Sequence, residues 1–462
     1  MSTETQPERV RAIRKSDGTF RNPWPAFVER GLLHVMKWKW SSSAPKFPKP
    51  HEVHELFAPK GLLTADDHVF LRRHHGICPR KSSSAHRTPQ ESSWASEWFH
   101  NAALCEDRKG QISVTWIGHS TFLVQCGGIN MLTDPVFSTH AAPMKLPGTP
   151  KRMVNVPVTV EDLPRIDVVT ISHNHYDHLD TQSVQELVRE HNPIFVVPLN
   201  MKRWFQGTIQ LLDESRVVEL DWWEEATLQL CPTTGRLIVV EAPSEMSTEL
   251  VHNLPRQPTP EAPSLVRVSA VPAQHWSMRT GFDRYHELWC GFVARFSLLT
   301  SQNDATSIVT RSVFHAGDTG YTAAYKDVGK VYQSTGSCTQ PLADVNPSAT
   351  PFGVDIGLIP IGAYEPRWMM SPQHVDPIEA LQIHDDIGAK FSIGMHWGTF
   401  ILTDEPVDEP PKLLAKALDD ANKTVSSGRG RERRPGEFVA WRHGELRNFT
   451  SEMLDTLNRE TK

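Results

Sequence analysis

The chain has 462 residues, enough for one large domain or for two to three ordinary ones, and a hydrophobic content of 39% allows a sizeable core. Its formal net charge is −6, from 48 basic and 54 acidic residues, so no basic excess is present to replace the counterions of a nucleic acid. We therefore expect no nucleic-acid partner. The six cysteines form no C-x-x-C pair, which argues against a cysteine zinc site and a disulfide framework.

The N-terminal segment shows no apolar core of a secretion signal. Residues 1–17 are polar and mixed in charge, and we predict that they are disordered. Basic residues between positions 9 and 15 would suit a mitochondrial presequence, whereas Glu4 and Glu8 would not. No stretch approaches the ~18 apolar residues that a membrane-spanning helix needs. We expect a cytoplasmic protein that sits peripherally on an intracellular membrane, with a mitochondrial location as the alternative.

Residues 18–110 are predicted to form an N-terminal arm and lead-in. Phe27 to Trp40 has the spacing of a helix, and the arm carries Trp24, Trp38 and Trp40. Two interpretations stay open. The arm packs on the domain, or its tryptophans, interleaved with lysines, anchor the protein in a lipid headgroup layer.

From residue 111 the pattern becomes that of a sheet, and we predict one large α/β domain over 111–450. A short helix is expected at Thr181–His191. Strands are predicted at Ile112–Ile117, Thr121–Gln125, Ile129–Thr133, Ile166–Ser172, Pro193–Pro198, Val217–Leu220, Val266–Val271, Leu288–Leu299, Ser307–Phe314 and Phe391–Met395. Surface insertions are predicted near 233–265, 300–311, 334–350 and 426–435.

Three imidazoles and a carboxylate come directly after the apolar strand that ends at Ser172. Alternate residues of an extended segment face the same way, so His173 and His175 can hold one ion together. If the chain then turns into a helix, Asp177 and His178 are directed toward a second ion. Imidazole nitrogen with carboxylate oxygen is a ligand set typical of zinc. The alternative is a histidine-rich surface loop, but such a loop has no reason to follow a β-branched strand.

Two ions held by this stretch alone would lack ligands, so further donors must come from distant strand ends. His275 follows one strand, Asp318 follows another within AGDTG, and His396 follows a third within GMHWG. A carboxylate has two oxygens and can bridge two cations, which suits Asp318. Singly, each of these residues has an ordinary structural explanation; jointly, they supply the number of ligands that a two-metal site requires.

These residues and several short motifs resemble the metallo-β-lactamase superfamily, and within it the family of N-acyl-phosphatidylethanolamine-hydrolysing phospholipases D. The resemblance covers most of 18–450. Its motifs are FRNPWP (20–25), TWIGHS (115–120), LTDPVFS (132–138), ISHNHYDHLD (171–180), ELDWWEE (219–225), QHW (274–276), AGDTGY (316–321), IPIGAYEPRWMM (359–370), QHVDP (373–377) and HWGTF (396–400).

The resemblance implies a four-layer αββα sandwich and two zinc ions at one edge of its sheets. Asp318 would bridge the two ions. One zinc would be held by His173, His175 and His275. The other zinc would be held by Asp177, His178 and His396.

The resemblance also implies the reaction: hydrolysis of N-acyl-phosphatidylethanolamine to an N-acylethanolamine and phosphatidic acid. We expect a hydroxide that bridges the zinc ions to attack phosphorus, with Asp177 and Asp318 as catalytic carboxylates. His374 matches a position that lines the phosphate pocket and is the candidate proton donor, with water as the alternative. Tyr176 is a candidate for substrate binding. A homodimer is implied as well.

Other residues near strand ends have supporting roles in this interpretation. We expect His119, Asp134 and His315 to orient ligands or shape turns. Glu365 and Arg367 are expected to form a structural ion pair, or Arg367 faces phosphate.

Two alternative functions stay open at this point. The first is another hydrolase of the same fold, acting on a lactone, a thioester or a different phosphodiester. The second is a non-catalytic lipid-binding scaffold in which zinc is structural.

Overall fold

The structure of the chain is a computed structural model. It describes residues 9–25, 27–42, 110–210, 212–243, 257–260, 262–302, 305–332, 353–426 and 436–456. The predicted insertions at 334–350 and 426–435 lie almost wholly outside these residues, as do the rest of the lead-in and the start of the N-terminus.

The strands and helices of the described residues alternate in mixed order. The strands are β1 Ile13–Arg14, β2 Phe20–Arg21, β3 Ile112–Gly118, β4 Thr121–Cys126, β5 Ile129–Thr133, β6 Val168–Thr170, β7 Ile194–Pro198, β8 Val217–Leu220, β9 Glu225–Leu230, β10 Leu237–Glu241, β11 Ser264–Val271, β12 Gly291–Gln302, β13 Ala305–His315, β14 Ile356–Pro360, β15 Phe391–Met395, β16 Glu437–Ala440 and β17 Leu446–Phe449. The helices are α1 Leu32–Ser41, α2 Thr181–Glu190, α3 Lys202–Thr208, α4 Ala324–Val331, α5 Arg367–Met370, α6 Pro377–Ile387, α7 Glu409–Ser426 and α8 Ser451–Thr456. Within the described part of the chain, none of these helices combines the length and apolarity needed to cross a bilayer.

Two large sheets form the domain. The first has the order β17-β3-β4-β5-β6-β7-β8; its pairs are antiparallel as far as β5 and parallel from β5 to β8. The second has the order β10-β9-β11-β12-β13-β14-β15-β16, antiparallel as far as β13 and parallel from there to β16. Parallel neighbours need crossover connections, and in both sheets helices supply most of them.

Both faces of each sheet are buried, and the sequence of β7 shows how. Ile194 and Val196 pack in a core that contains residues of both sheets, whereas Phe195 and Val197 pack in a separate core with Phe205 of α3. Successive residues of a strand point to opposite faces, so a continuous apolar run fills both cores. Helices α2 and α3 cover the first sheet, and α4, α6 and α7 cover the second. The αββα sandwich implied by the resemblance is confirmed.

The predicted disorder of residues 1–17 is wrong for the part that the structure describes. Ile13 and Arg14 pair with β2 as a short antiparallel strand. The Trp223 indole donates a hydrogen bond of 2.8 Å to the carbonyl of Val10, which holds this segment on the domain. Polar composition did not reveal the pairing, because only a partner elsewhere in the chain stabilises so short a strand.

The predictions for the insertions and for the N-terminal arm had different outcomes. β12 pairs with β13, and residues 300–302 and 305–311 of the predicted insertion belong to these two strands. Part of the predicted excursion at 233–265 is instead the edge strand β10, which pairs with β9. In the arm, Trp24 stacks on Trp222 and Trp38 is buried, so those two side chains pack on the domain.

Candidate metal centre

The candidate ligands lie at one end of the sandwich, each in the segment that comes after a strand. The carboxyl ends of parallel strands meet at the same edge of a sheet, and here the two sheets bring their edges together. His119 follows β3, Asp134 follows β5, residues 173–178 follow β6, His275 follows β11, Asp318 follows β13, His374 lies in the segment after β14, and His396 follows β15.

These side chains form two adjacent groups of donors. Within each group the potential ligand atoms all lie within 4.8 Å of one another. The first group consists of His173, His175 and His275. The second group consists of His119, Asp177, His178 and His396.

Asp318 lies between the two groups and contacts both. Its Oδ2 is 3.8 Å from Nε2 of His173 and 3.8 Å from Nε2 of His275. The same oxygen is 3.2 Å from Nε2 of His178, and Oδ1 is 3.1 Å from Nε2 of His396. The position of this carboxylate is therefore the one that the bridging prediction requires.

The donor set fits divalent cations. Ligand atoms that surround one tetrahedral zinc at ~2.0–2.1 Å lie ~3.3 Å apart, close to the separations around Asp318. Several buried donor atoms have no hydrogen-bond partner, although buried polar atoms rarely lack one. These atoms are Nε2 of His173, His175, His178 and His396 and Oδ1 of Asp318.

The electrostatics of the centre also suit a cation. Burial lowers the pKa of His175 to about 4 and of His275 to about 3, so both imidazoles are neutral at pH 7 and offer lone pairs. Burial acts to raise the pKa of Asp318, but the neighbouring His178 and His396 outweigh it and hold that pKa well below its usual range. Burial acts to lower the pKa of His396, but Asp318 and Asp177 outweigh it and raise that pKa to about 9. The carboxylates of the centre therefore favour positive charge between the donor groups.

Asp134 orients one of the ligands. Nδ1 of His178 donates to its Oδ2 at 2.7 Å, while the backbone N–H and the hydroxyl of Ser172 donate at 2.7 and 2.6 Å. This leaves Nε2 of His178 directed at Asp318. His119 holds the second carboxylate, because its Nε2 donates to Oδ2 of Asp177 at 3.0 Å. These contacts are those expected of residues that orient ligands.

Three residues of the centre adopt backbone conformations that side chains other than glycine rarely take. The φ angles are 55° at His119, 33° at Asp134 and 63° at His396. Such left-handed conformations cost roughly 1–3 kcal/mol each and persist only where surrounding contacts hold them. Each one turns the chain sharply just after a strand, which directs the side chain into the centre.

Arg279 holds in place the loop that carries four of the candidate ligands. The sequence motifs did not indicate this role. Its Nη1 donates to the carbonyl of Asn174 at 3.0 Å and to that of Leu179 at 2.7 Å. The hydroxyl of Tyr176 donates to the carbonyl of Arg279 at 2.9 Å, and the guanidinium lies 4.2 Å from the tyrosine ring centre. Arg279 therefore holds the Tyr176 side chain, and the role of Tyr176 in substrate binding stays a prediction.

His374 lies beside the centre, with Nδ1 3.9 Å from Oδ2 of Asp318. Arg367 supports it by donating from Nη1 to the carbonyl of His374 at 3.0 Å. The expected ion pair between Glu365 and Arg367 is wrong: the guanidinium pairs instead with Glu379 at 2.7 Å, and Glu365 accepts from the backbone N–H of Arg367. The longer reach of the arginine takes it to the first turn of α6.

The structure thus brings together all seven predicted ligands, with His119 and His374 beside them. Their roles as ligands stay predictions that metal analysis can test. The structure also carries Asp134 and Arg279 into the surroundings of the centre. The position of Asp134 just after a strand indicated its role in the sequence. Nothing in the sequence marked Arg279, a single arginine near His275.

Known proteins resemble this chain over much of its length. Residues 129–397 match the family described as Beta-lactamase superfamily domain. An N-acyl-phosphatidylethanolamine-hydrolyzing phospholipase D of Caenorhabditis elegans is 32% identical over 66% of this chain and 69% of that protein. The mitochondrial enzyme of the same name from Saccharomyces cerevisiae is 32% identical over 68% of this chain, an alignment that spans 54% of the yeast protein.

Among solved structures, a metallo hydrolase from Ignicoccus hospitalis is 19% identical, covers 73% of this chain and 98% of its own, and superimposes with a TM-score of 0.41. The family match and the sequence similarity to the two phospholipases carry the assignment. The chain belongs to the metallo-β-lactamase superfamily, with the N-acyl-phosphatidylethanolamine-hydrolysing phospholipases D as its relatives.

Proposed function

We propose that the protein is a zinc-dependent phosphodiesterase of the phospholipase D type that hydrolyses N-acyl-phosphatidylethanolamine to an N-acylethanolamine and phosphatidic acid. The observation that carries the proposal is Asp318, a buried carboxylate that contacts two adjacent groups of donors. A two-metal centre of this kind suits displacement at phosphorus. The substrate class rests on the names of the yeast and nematode relatives.

In this proposal the first donor group would hold one zinc, three residues of the second group (Asp177, His178 and His396) would hold the other, and Asp318 would serve both. Bound divalent cations would activate water as a nucleophile near neutral pH and offset negative charge on the phosphoryl group. The protein contributes geometry: Asp134 fixes the orientation of His178, and His119 fixes that of Asp177. Arg279 holds the loop that carries both.

In this proposal His374 would act on the leaving group. Burial lowers its pKa to about 3, so its imidazole is neutral at pH 7. A neutral imidazole donates a hydrogen bond from one ring nitrogen, and at the departing alkoxide oxygen this bond would favour charge as it develops. Water would then supply the proton, the alternative that the sequence left open.

The direct test is to incubate the purified protein with mixed membrane lipids and to identify the products by mass spectrometry. We expect N-acylethanolamine and phosphatidic acid, loss of both after thorough chelation, and recovery on addition of zinc. A parallel panel with a lactone, a thioester and bis(p-nitrophenyl) phosphate separates the other hydrolases of this fold. Zinc binding without turnover of any substrate would favour the lipid-binding scaffold, and turnover that survives chelation would argue against metal chemistry.

Replacing His374 by glutamine should lower kcat by about 100-fold while metal content stays unchanged. The amide fills a similar space but holds its N–H donor at a different position from that of the imidazole, which weakens the hydrogen bond to the departing oxygen. The backbone contact with Arg367 does not depend on the side chain. Initial rates and elemental analysis of the same preparation measure both quantities. Loss of metal in this variant would instead make His374 a ligand, with His275 and Asp318 as its partners.

Location and assembly are proposals that rest on the same relatives. The yeast relative is named as a mitochondrial enzyme. We infer peripheral contact with an intracellular membrane, because the proposed substrate resides in a bilayer. A homodimer is the assembly that the resemblance implied, and light scattering after size-exclusion chromatography measures it.

A further inference from the structure

Helix α1 presents an apolar stripe to solvent. Leu33 is 79% exposed and Trp40 is 94% exposed, and Met36 between them is exposed as well. Spacings of three and four residues place them on one side of the helix. The opposite side carries Trp38, which packs on Met369 and its neighbour. The helix is therefore fixed to the domain by one side and leaves the other uncovered.

The stripe continues across neighbouring segments. Lys37 Nζ lies 5.2 Å from the ring centre of Trp368, and Nη1 of Arg284 donates to the carbonyl of Arg30 at 3.2 Å. The loop of Arg284 thus lies beside the segment that leads into α1, and it carries an exposed phenylalanine. We call the resulting surface the apolar face; it consists of Val28, Leu33, Met36, Trp40, Phe282 and Trp368.

The apolar face adjoins the metal centre on two sides. The guanidinium of Arg284 lies 4.7 Å from the ring centre of Trp276, whose ring is 4.4 Å from that of His175. On the other side Trp368 belongs to α5, and the backbone N–H of His374 donates to the carbonyl of Met370 at the end of that helix. A membrane or a protein that covers the apolar face would therefore also lie against the edge of the metal centre.

The charges around the apolar face are basic. Lys37 and Lys39 are exposed on α1, and Lys37, four residues after Leu33, lies on the same side as the apolar stripe. Three nearby acidic groups are already engaged. Glu29 pairs with Arg284 at 3.5 Å, and Asp404 accepts from Trp38 at 2.7 Å. Asp283, next to Phe282, accepts from the backbone N–H groups of Arg279 and Thr280. Apolar side chains with tryptophan among lysines suit the boundary between acyl chains and anionic headgroups.

We propose that the apolar face docks on a bilayer that contains anionic phospholipid, with α1 lying in the interface and the metal centre directed at the headgroups. The inference rests on the proposed function, because a membrane-lipid substrate gives the docking its purpose. A second copy of this chain explains the face less well, since its two lysines would then need acidic partners in the interface.

Sedimentation with vesicles of phosphatidylcholine containing about one-third phosphatidylserine tests the docking without any turnover. The variant Leu33→Ser/Trp40→Ser should reduce the vesicle partition coefficient by about tenfold or more. Lys37→Glu/Lys39→Glu should weaken binding to these vesicles and leave the weaker binding to pure phosphatidylcholine vesicles nearly unchanged. All four side chains are exposed, so folding is expected to persist.

Met453→Ser is the matched control. Met453 is also an exposed apolar side chain, but its helix α8 contacts Arg311 and Gly110, at the end of the sandwich opposite to the centre. The control should bind vesicles as the parent chain does. Partition unchanged in the α1 variants would overturn the proposal, and so would a change in oligomeric state on size-exclusion chromatography, which would make the face a subunit interface.

The same variants separate this inference from the proposed function. With detergent-dispersed N-acyl-phosphatidylethanolamine as substrate, Leu33→Ser/Trp40→Ser should turn over normally, whereas with vesicles its rate should fall. Vesicle binding that depends on the apolar face, without hydrolysis of either form, would refute the phosphodiesterase and keep the docking surface. Hydrolysis of both forms at parental rates would keep the enzyme and refute the docking surface.

Discussion

Asp318→Asn is expected to lower phosphodiesterase turnover by at least about a thousandfold and to leave the chain with fewer bound metal ions. The carboxylate reaches both donor groups, with Oδ1 3.1 Å from His396 and Oδ2 3.2 Å from His178. An amide keeps the shape but has one oxygen and no negative charge, so it cannot serve both groups. Elemental analysis and initial rates on the phospholipid substrate measure the two effects.

The matched control is Asp327→Asn. Asp327 lies on α4, pairs with the exposed Lys330 at 3.2 Å and belongs to neither donor group. This variant should keep the metal content and turnover of the parent chain. Full turnover in Asp318→Asn would show that the chemistry takes place elsewhere.

His178→Ala is expected to have an effect of similar size, and Asp134→Asn a smaller one in the same direction. The first change removes a candidate ligand. The second weakens the contact that orients it, which typically lowers metal affinity by about 10- to 100-fold. Calorimetric titration of the metal-free chain with zinc should rank the parent chain above Asp134→Asn and Asp134→Asn above His178→Ala.

Asp167→Asn distinguishes orientation of a ligand from general loss of stability. Asp167 is also a buried carboxylate; it accepts from the backbone of Asn130 at 2.9 Å and pairs with Arg165 at the start of β6. Its replacement should lower the free energy of unfolding by about 1–3 kcal/mol without changing zinc affinity. An equal loss of zinc affinity in both variants would contradict the orienting role of Asp134.

The candidate ligands could be predicted because each comes after a strand, and parallel strands bring the residues at their carboxyl ends to a common edge. The apolar runs predicted the strands of both sheets for a related reason, since a buried strand is apolar along its whole length. Short strands were harder. β1 and β10 depend on pairing with the neighbouring strands β2 and β9, and the composition of so short a segment says little about such pairing.

Other features depend on backbone and side-chain conformation, which the identity of a single residue does not indicate. Nothing in the sequence around His119 or His396 indicates a positive φ, because either residue has an ordinary extended alternative. The partners of Arg279 and Arg367 were likewise unpredictable: a long side chain reaches many neighbours, and the fold selects among them. Sequence alone therefore located the centre but not the contacts that hold it rigid.

The centre joins distant parts of the chain, and this has a consequence for biosynthesis. The backbone N–H of His119 donates to Thr399 Oγ1 at 2.7 Å, although 280 positions separate the two residues. During translation the early strands leave the ribosome long before the last donors are made. Metal binding would then be among the final events of maturation. A nascent or truncated polypeptide that ends before His396 would contain an incomplete set of candidate ligands.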